Sequence, residues 1–104
     1  MKRVKRRYLA LQLELEGVPG EKELLDALWG SVARLYGEVG ASLTSLALIS
    51  FDASRNVAVV RTSLETFDMV RASFACVTSV GGREAAVHVL AVSGTIKALF
   101  EKLK

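Results

Sequence analysis

The densest group of chemically active side chains lies within the first seven residues. Lys2, Arg3, Lys5, Arg6 and Arg7 supply five of the 14 basic residues of the chain. Clustered Lys and Arg side chains neutralise closely spaced phosphates and gain free energy as the displaced counterions are released. Without these five, nine basic and 11 acidic residues remain, so that a mildly acidic body of net charge −2 carries a cationic arm. The pattern predicts a polyanionic partner, with a solvated tail that only aids solubility as the alternative.

The arm also predicts how binding responds to salt. If all five side chains meet phosphates of a nucleic acid that is not a duplex, log affinity falls with log salt concentration at a slope of about −3.5, taking about −0.7 per contact. Arg61, Arg71 and Lys97 are secondary candidates for the same role. They would belong to the predicted phosphate-binding site only if the fold placed them on the same face as the arm.

Side chains that could carry out catalysis are single and scattered. His88, the one histidine, stands in an apolar stretch, where we expect a packed or partner-facing side chain rather than a catalytic base. Cys76, the one cysteine, has no evident cationic neighbour to activate its thiol, so packing is its expected role. A single cysteine rules out an internal disulfide framework and a multi-cysteine metal site.

Motifs for nucleotide and metal binding are also missing. The glycine pairs Gly37/Gly40 and Gly81/Gly82 match neither GxGxxG nor a Walker A loop. The acidic residues show no spacing that would gather two or three oxygens around a magnesium ion. We infer that the isolated chain has no active site of its own and binds no cofactor.

The elements that must position the candidate residues follow from periodicity and turn signals. Residues 7–16 alternate leucine with more polar residues, which indicates a strand with one wet face. A helix over 21–36 is predicted next, ended by Gly37, with six residues in its buried stripe: Leu24, Leu25, Leu28, Val32, Leu35 and Tyr36. The remaining predicted elements are paired strands at 44–52 and 57–62, a helix over 64–77 capped by Ser63, a strand over 84–92, and a terminal helix that opens at Ser93, Gly94 and Thr95.

This order, β-α-β-β-α-β with an added helix, predicts an α+β fold of the ferredoxin-like or RRM-like, split βαβ type. Such a fold has a four-stranded antiparallel sheet with two helices on one face. We expect the C-terminal helix to cover part of the other face. One domain is expected over residues 1–104, with residues 1–6 as the basic N-terminal arm.

The RRM comparison bears on how nucleic acid could bind. RRM sheets stack bases on aromatic side chains of the first and third strands. Here the third strand has no aromatic residue, and the first has only Tyr8 at its beginning. Base stacking on an open sheet is therefore not expected. An apolar sheet capped by a short helix favours a protein partner or a second copy of the chain.

No membrane segment is expected. Charged residues interrupt every apolar run before it reaches the roughly 18 to 20 residues that a membrane span needs. The segment behind the arm contains Gln12, Glu14 and Glu16 and lacks a small-residue cleavage site, unlike a signal peptide. The sequence predicts a cytoplasmic protein.

One segment resembles a known family. Val92–Leu99, which reads VSGTIKAL, is similar to the C-terminal signature of protein component 2 of archaeal ribonuclease P, the small Pop-type subunit. Other parts of the chain resemble the family in order and spacing: Lys5–Tyr8 leading into the first strand, Leu28–Trp29 in the first helix, Gly37–Ala41 after it, and Arg61 at the end of the third strand. The resemblance covers nearly the whole chain.

The resemblance implies a non-catalytic subunit of a ribonucleoprotein endonuclease that removes 5′ leaders from precursor tRNA. In that family the RNA and its magnesium ions perform the hydrolysis, which is consistent with a chain that has no active site. The implied partners are the ribonuclease P RNA with its precursor tRNA, a TIM-barrel protein subunit, and a second copy, as a homodimer within a heterotetramer. Ser93, Gly94 and Thr95 then either contact RNA or cap the terminal helix.

Two other functions are compatible with the same fold. A ferredoxin-like module that senses a small ligand would bind a metabolite at a dimer interface and be indifferent to RNA. A protein-interaction module would bind only another protein. Function must be decided at the site, because this fold carries many unrelated activities.

Overall fold

The structure, a computed structural model, describes residues 5–103. The predicted order of elements is confirmed, with a short two-stranded ribbon added before the last long strand. No helix in this part of the chain combines the length and apolarity needed to cross a membrane. The elements are β1 (Arg6–Glu14), α1 (Glu21–Ser42), β2 (Ala47–Asp52), β3 (Val57–Ser63), a 3-10 helix (Leu64–Thr66), α2 (Phe67–Ala75), β4 (Ser79–Val80), β5 (Arg83–Glu84), β6 (Ala86–Ser93) and α3 (Ile96–Lys102).

The four long strands form one antiparallel sheet in the order β2-β3-β1-β6. This is the ferredoxin-like arrangement that the sequence predicts. β1 is central because it pairs with β3 on one side and β6 on the other, and its alternating Leu9, Leu11 and Leu13 point to one face and are buried. The ends of β1 differ: it begins beside the end of β3 and finishes beside the start of β6.

The main core lies between the sheet and the two longer helices. Leu24, Leu28 and Val32 of α1, with Val70 and Phe74 of α2, are at most 1% exposed and pack against the leucines of β1. The hydroxyl of Ser31 donates a hydrogen bond to the carbonyl of Ser73 and joins the two helices. Both helices therefore cover the same face of the sheet, as the sequence predicts.

The other face, called the open face here, is partly covered by α3. Leu99 is fully buried against Ala10 of β1 and Val59 of β3. Lys102 donates a hydrogen bond of 2.6 Å from its Nζ to the carbonyl of Val92, which fixes the end of the helix to the edge strand β6. The expected cover by the terminal helix is confirmed, and it lies over the middle of the open face.

The end of α1 differs from the prediction. Leu35 and Tyr36 are 48% and 43% exposed, so their assignment to the buried stripe is wrong. Val32 is the last buried residue of the stripe, and Gly37, at φ +78°, breaks the helical path before one further turn. The kink leaves a group of exposed apolar side chains at this end, called the α1 apolar surface here: Leu35, Tyr36, Val39 and Leu43.

The turn between β4 and β5 is fixed against the start of α1. The Glu23 carboxylate accepts a hydrogen bond from the Gly20 amide at 3.2 Å and lies directly against Gly81, where any Cβ would collide with it. Gly81 has a φ of +58°, which also favours glycine. The Arg83 guanidinium donates hydrogen bonds to the carbonyls of Glu16 and Val18, so this side chain has a structural role.

Candidate nucleic-acid interface

Three basic residues of the predicted arm lie where β1 begins. Arg6 and Arg7 belong to the strand and pair with Ser63 and Thr62 of β3. Lys5 directly precedes it, and its carbonyl accepts a hydrogen bond of 2.8 Å from the Leu64 amide. The prediction that Arg6 precedes the strand is thus wrong, since β1 begins there. Lys2 and Arg3 lie outside the described residues.

Arg61 lies beside this group because of the strand register. It stands directly opposite Tyr8, and Tyr8 stands opposite Ser93 on its other side. Strand alternation places Arg6, Tyr8 and Arg61 on the open face, beyond the part where Leu99 packs. The structure therefore brings Arg61 to the same end of the sheet as the arm.

The segment Ser93–Thr95 enters the same end from β6. The Thr95 hydroxyl accepts a hydrogen bond of 3.2 Å from the Ala98 amide and caps α3. The Ser93 hydroxyl accepts one of 3.3 Å from the Thr95 amide. A Cβ on Gly94 would lie 3.1 Å from a terminal nitrogen of Arg7, so the guanidinium rests beside this glycine. Capping by Thr95 is confirmed, and RNA contact by the three residues stays a prediction.

Lys97 and Arg71 fall in different places. Lys97 is exposed in the first turn of α3, two residues beyond Thr95. Arg71 is exposed on α2, which packs on the other side of the sheet from α3. The basic end, as the term is used below, consists of Lys5, Arg6, Arg7, Arg61 and Lys97.

The cations of the basic end form no ion pairs with residues of the described part of the chain. Between residues 5 and 103 the one contact at ion-pair distance joins His88 Nε2 to a Glu14 carboxylate oxygen at 3.2 Å, at the opposite end of β1, and it is an ion pair when His88 is protonated. Acidic groups gather near that end, where Glu14, Glu16 and Glu84 line one surface depression. Asp52, at the end of β2, has a pKa held below its ordinary value mainly by the hydrogen bond from the Ser54 hydroxyl. The basic end can therefore accept an anion without first breaking an ion pair with residues 5–103.

Cys76 and His88, the one cysteine and the one histidine of the chain, are both exposed. Cys76 lies at the end of α2 and is exposed, so the prediction that it is packed is wrong. It follows the buried Phe74 by two helical positions, which turns it away from the core. His88 is 55% exposed on the open face, where it pairs with Glu14. Among residues 5–103, no three His, Cys, Asp or Glu side chains are placed to hold a metal ion.

Two features at and near this interface were not predicted from the sequence: the full α1 apolar surface and the pairing of Tyr8 with Arg61. The α1 apolar surface was assigned in part to the core, because a helical period does not reveal where the underlying sheet ends. The pairing of Arg61 with Tyr8 depends on strand register, which the sequence does not state. An arginine in the otherwise apolar strand 57–62 was the one available signal.

Replacing the capping residue tests its role. Thr95→Ala is expected to lower the free energy of unfolding by about 1 kcal/mol, because the Ala98 amide loses its acceptor. Thr95→Ser keeps the hydroxyl and should unfold like the parent chain. Urea unfolding of the three proteins measures this directly. Equal stability of Thr95→Ala and the parent, with weaker RNA binding, would assign Thr95 to RNA contact instead.

Comparisons with known proteins agree with this fold. A family model described as the Rpp14/Pop5 family matches residues 7–104. A Methanosarcina mazei protein named Ribonuclease P protein component 2 is 32% identical, covering 96% of this chain and 84% of that protein. The Pyrococcus furiosus protein of the same name is 33% identical, covering 96% of this chain and 83% of its own length. A chain in the cryo-EM structure of yeast ribonuclease MRP has a TM-score of 0.74 at 14% identity, covering 99% of this chain and 94% of that chain, which supports the fold.

The family match covers the sequence from Arg7, at the start of β1, past the end of α3. It includes the segment Val92–Leu99 and Arg61, on which the resemblance was based. The prediction of the family is therefore confirmed. The chain belongs to the Rpp14/Pop5 family, together with the archaeal proteins named ribonuclease P protein component 2.

Proposed function

We propose that this chain is a non-catalytic protein subunit of ribonuclease P, the RNA-based endoribonuclease that removes 5′ leaders from precursor tRNA, and that it binds the RNA of that enzyme through the basic end. Family membership and the names of the archaeal relatives support the assignment to this enzyme. The observation that carries the RNA contact is the group of five cations at one end of the sheet, which form no ion pairs within residues 5–103.

The residue types at the basic end suit a phosphate backbone. Three of the five are arginines, whose planar guanidinium can donate two parallel hydrogen bonds to one phosphate. The acidic groups near the other end of β1 would repel the same polyanion and so orient the chain on it. Lys2 and Arg3 continue the basic sequence and are proposed to extend the same surface.

Cleavage itself is proposed to reside in the RNA and its magnesium ions. The basic end offers cations, which bind phosphate oxygens and repel a divalent metal. The chain would then act by holding the RNA in its active shape and by lowering the repulsion between its phosphates. A reduced need for magnesium is the expected consequence, since protein cations replace part of the metal atmosphere.

A protein partner is proposed at the α1 apolar surface. Leu35, Tyr36, Val39 and Leu43 are between 43% and 78% exposed within nine residues at and just beyond the C-terminal end of α1, an arrangement that favours burial in an interface. The resemblance implies a TIM-barrel subunit as this partner. It also implies a second copy of the chain, as a homodimer within a heterotetramer.

Omission from a reconstituted enzyme tests the proposed function. Precursor tRNA would be mixed with the ribonuclease P RNA and the other protein subunits of the same organism, with and without this chain. At limiting magnesium, we expect slower leader removal when the chain is omitted and recovery when it is added back. Unchanged cleavage would contradict the proposal and favour a ligand-sensing or protein-interaction module.

A further inference from the structure

One corner of the open face is left uncovered by α3. Leu99 packs over Ala10 and Val59, two pairs further along β1 and β3 than the pair Tyr8 and Arg61. Tyr8 packs against the edge of that cluster and stays partly exposed, as does Arg61. Within the described residues, Tyr8 is the one aromatic side chain that the four long strands present on this face. A single aromatic ring thus lies among the cations of the basic end.

Tyr8 and Arg61 are direct cross-strand neighbours. Residues placed opposite each other in an antiparallel pair have Cβ atoms about 4.5–5.5 Å apart, so the two side chains share one small surface. Arg6 lies on the same face, two residues along β1 and therefore about 7 Å away. Tyr8 offers a ring face, and each neighbouring guanidinium offers both a flat surface and hydrogen-bond donors.

Within residues 5–103, Arg61 Nε is enclosed without a hydrogen-bond acceptor, and the Arg61 side chain forms no ion pair. Because the Nε is enclosed, a phosphate would be bound by the terminal nitrogens of this partly exposed side chain. Arg83, by contrast, donates to two carbonyl groups of the chain. Arg61 is therefore placed to bind a ligand together with Tyr8, its cross-strand neighbour.

We propose that Tyr8 and Arg61 bind one unpaired nucleotide of RNA, with the Tyr8 ring stacked on its base and the Arg61 guanidinium on its phosphate. The inference rests on the proposed function and deepens it, since it commits the basic end to single-stranded RNA. A base must leave a helical stack before a side chain can cover its face, so duplex RNA would not fill this site. A single ring cannot form the stacking platform that aromatic residues of two strands make in sheets of the RRM type, so this site takes one base and Arg61 holds its phosphate.

Fluorescence anisotropy with labelled RNA tests the proposal on the full chain. Three probes of equal length are used: a single-stranded oligoadenosine, the same strand without its bases, and a duplex. The parent chain is expected to bind the single strand roughly tenfold more tightly than the abasic strand, since base stacking on an aromatic side chain is sequence-tolerant and substantial. This comparison needs no substitution and so does not depend on how a variant folds.

Variants at the two positions separate stacking from charge. Tyr8→Leu should weaken binding to the single strand roughly tenfold while leaving the salt slope unchanged, and Tyr8→Phe should bind like the parent. Arg61→Gln should reduce the steepness of the salt slope by about 0.7, the value of one phosphate contact. Circular dichroism and urea unfolding confirm that each variant is folded before its affinity is compared.

Any one of three results would overturn the proposal: equal affinity for the single strand and the abasic strand, a Tyr8→Leu chain that binds like the parent, or preference for the duplex. If one of these results is found but Arg6→Gln and Arg7→Gln still weaken RNA binding, the basic end binds RNA without a stacked base. If no substitution at the basic end changes RNA binding, the proposed RNA contact fails too.

Discussion

Replacement of Arg6, Arg7 and Arg61 together by Gln is expected to weaken binding to RNA roughly 100-fold at about 0.1 M salt. The three cations lie at one end of the sheet and form no ion pairs within residues 5–103, so each is free for a phosphate. Each contact contributes about 0.7 to the slope of log affinity against log salt, so three contacts contribute roughly two units. Between about 1 M and about 0.1 M salt, a tenfold change in concentration, a slope difference of roughly two units changes the affinity about 100-fold. The loss should nearly vanish near 1 M salt.

A second triple variant with the same change in net charge is the control. Arg34, Arg55 and Arg71 are exposed on α1, in the turn after β2 and on α2, outside the basic end. Their joint replacement by Gln should change affinity only slightly, because none of them belongs to the basic end. Binding titrations across a salt series give both affinities and slopes. Equal losses in the two variants would show that overall charge, rather than the basic end, drives binding.

Leu99→Ala is expected to lower the free energy of unfolding by about 2–3 kcal/mol. Leu99 is fully buried between α3 and the sheet, where it packs against Ala10 and Val59. Truncation removes apolar contacts and leaves a cavity, and losses of this size are usual for a buried leucine. The salt slope of RNA binding should change by no more than about 0.7, the value of the one contact from Lys97 on α3, because Arg6, Arg7 and Arg61 lie on strands that do not need α3 for pairing.

Phe100→Ala is the matched control for this substitution. Phe100 neighbours Leu99 on the same helix but is 44% exposed, so its truncation should cost less than about 1 kcal/mol. Urea unfolding followed by circular dichroism compares the three proteins. If Leu99→Ala unfolds at the parent denaturant concentration, α3 does not pack on the sheet as described.

The fold was predictable from local patterns because each strand and helix carries its own period. The alternating leucines of β1 locate the central strand and the buried face in one pattern. The turn residues around Gly37 and Gly81 locate breaks that the structure confirms. Patterns of this kind show which face is apolar, but not how far the neighbouring layer extends. Leu35 and Tyr36 follow the helical period and still lie beyond the end of the core.

The candidate site was predictable only in part, because it is assembled by register. The arm is visible as a run of basic residues in the sequence. Its grouping with Arg61 follows from the pairing of Tyr8 with Arg61, which a shift of one residue would destroy. The capping role of Thr95 was an open alternative until the hydrogen bond to Ala98 was located. The exposure of Cys76 depends on its rotation about a short helix, so an apolar neighbourhood in sequence was misleading.

That exposed cysteine allows a direct test of which end of the molecule faces RNA. Cys76 follows α2, near the end of the sheet where β6 begins, and is the one cysteine of the chain. An iron chelate attached there serves as one probe. The other is attached to Glu65→Cys in a Cys76→Ser chain, on the 3-10 helix that follows the partner strand of Arg6. Both labelled proteins must bind the ribonuclease P RNA with the parent affinity before cleavage is compared.

Hydroxyl-radical cleavage of the bound RNA then maps the orientation of the chain. The probe at Glu65→Cys, beside the basic end, is expected to give strong and localised cuts in the RNA. The probe at Cys76 is expected to give weak cuts or none. Cuts from Cys76 that equal or exceed those from Glu65→Cys would contradict the claim that the chain binds RNA through its basic end.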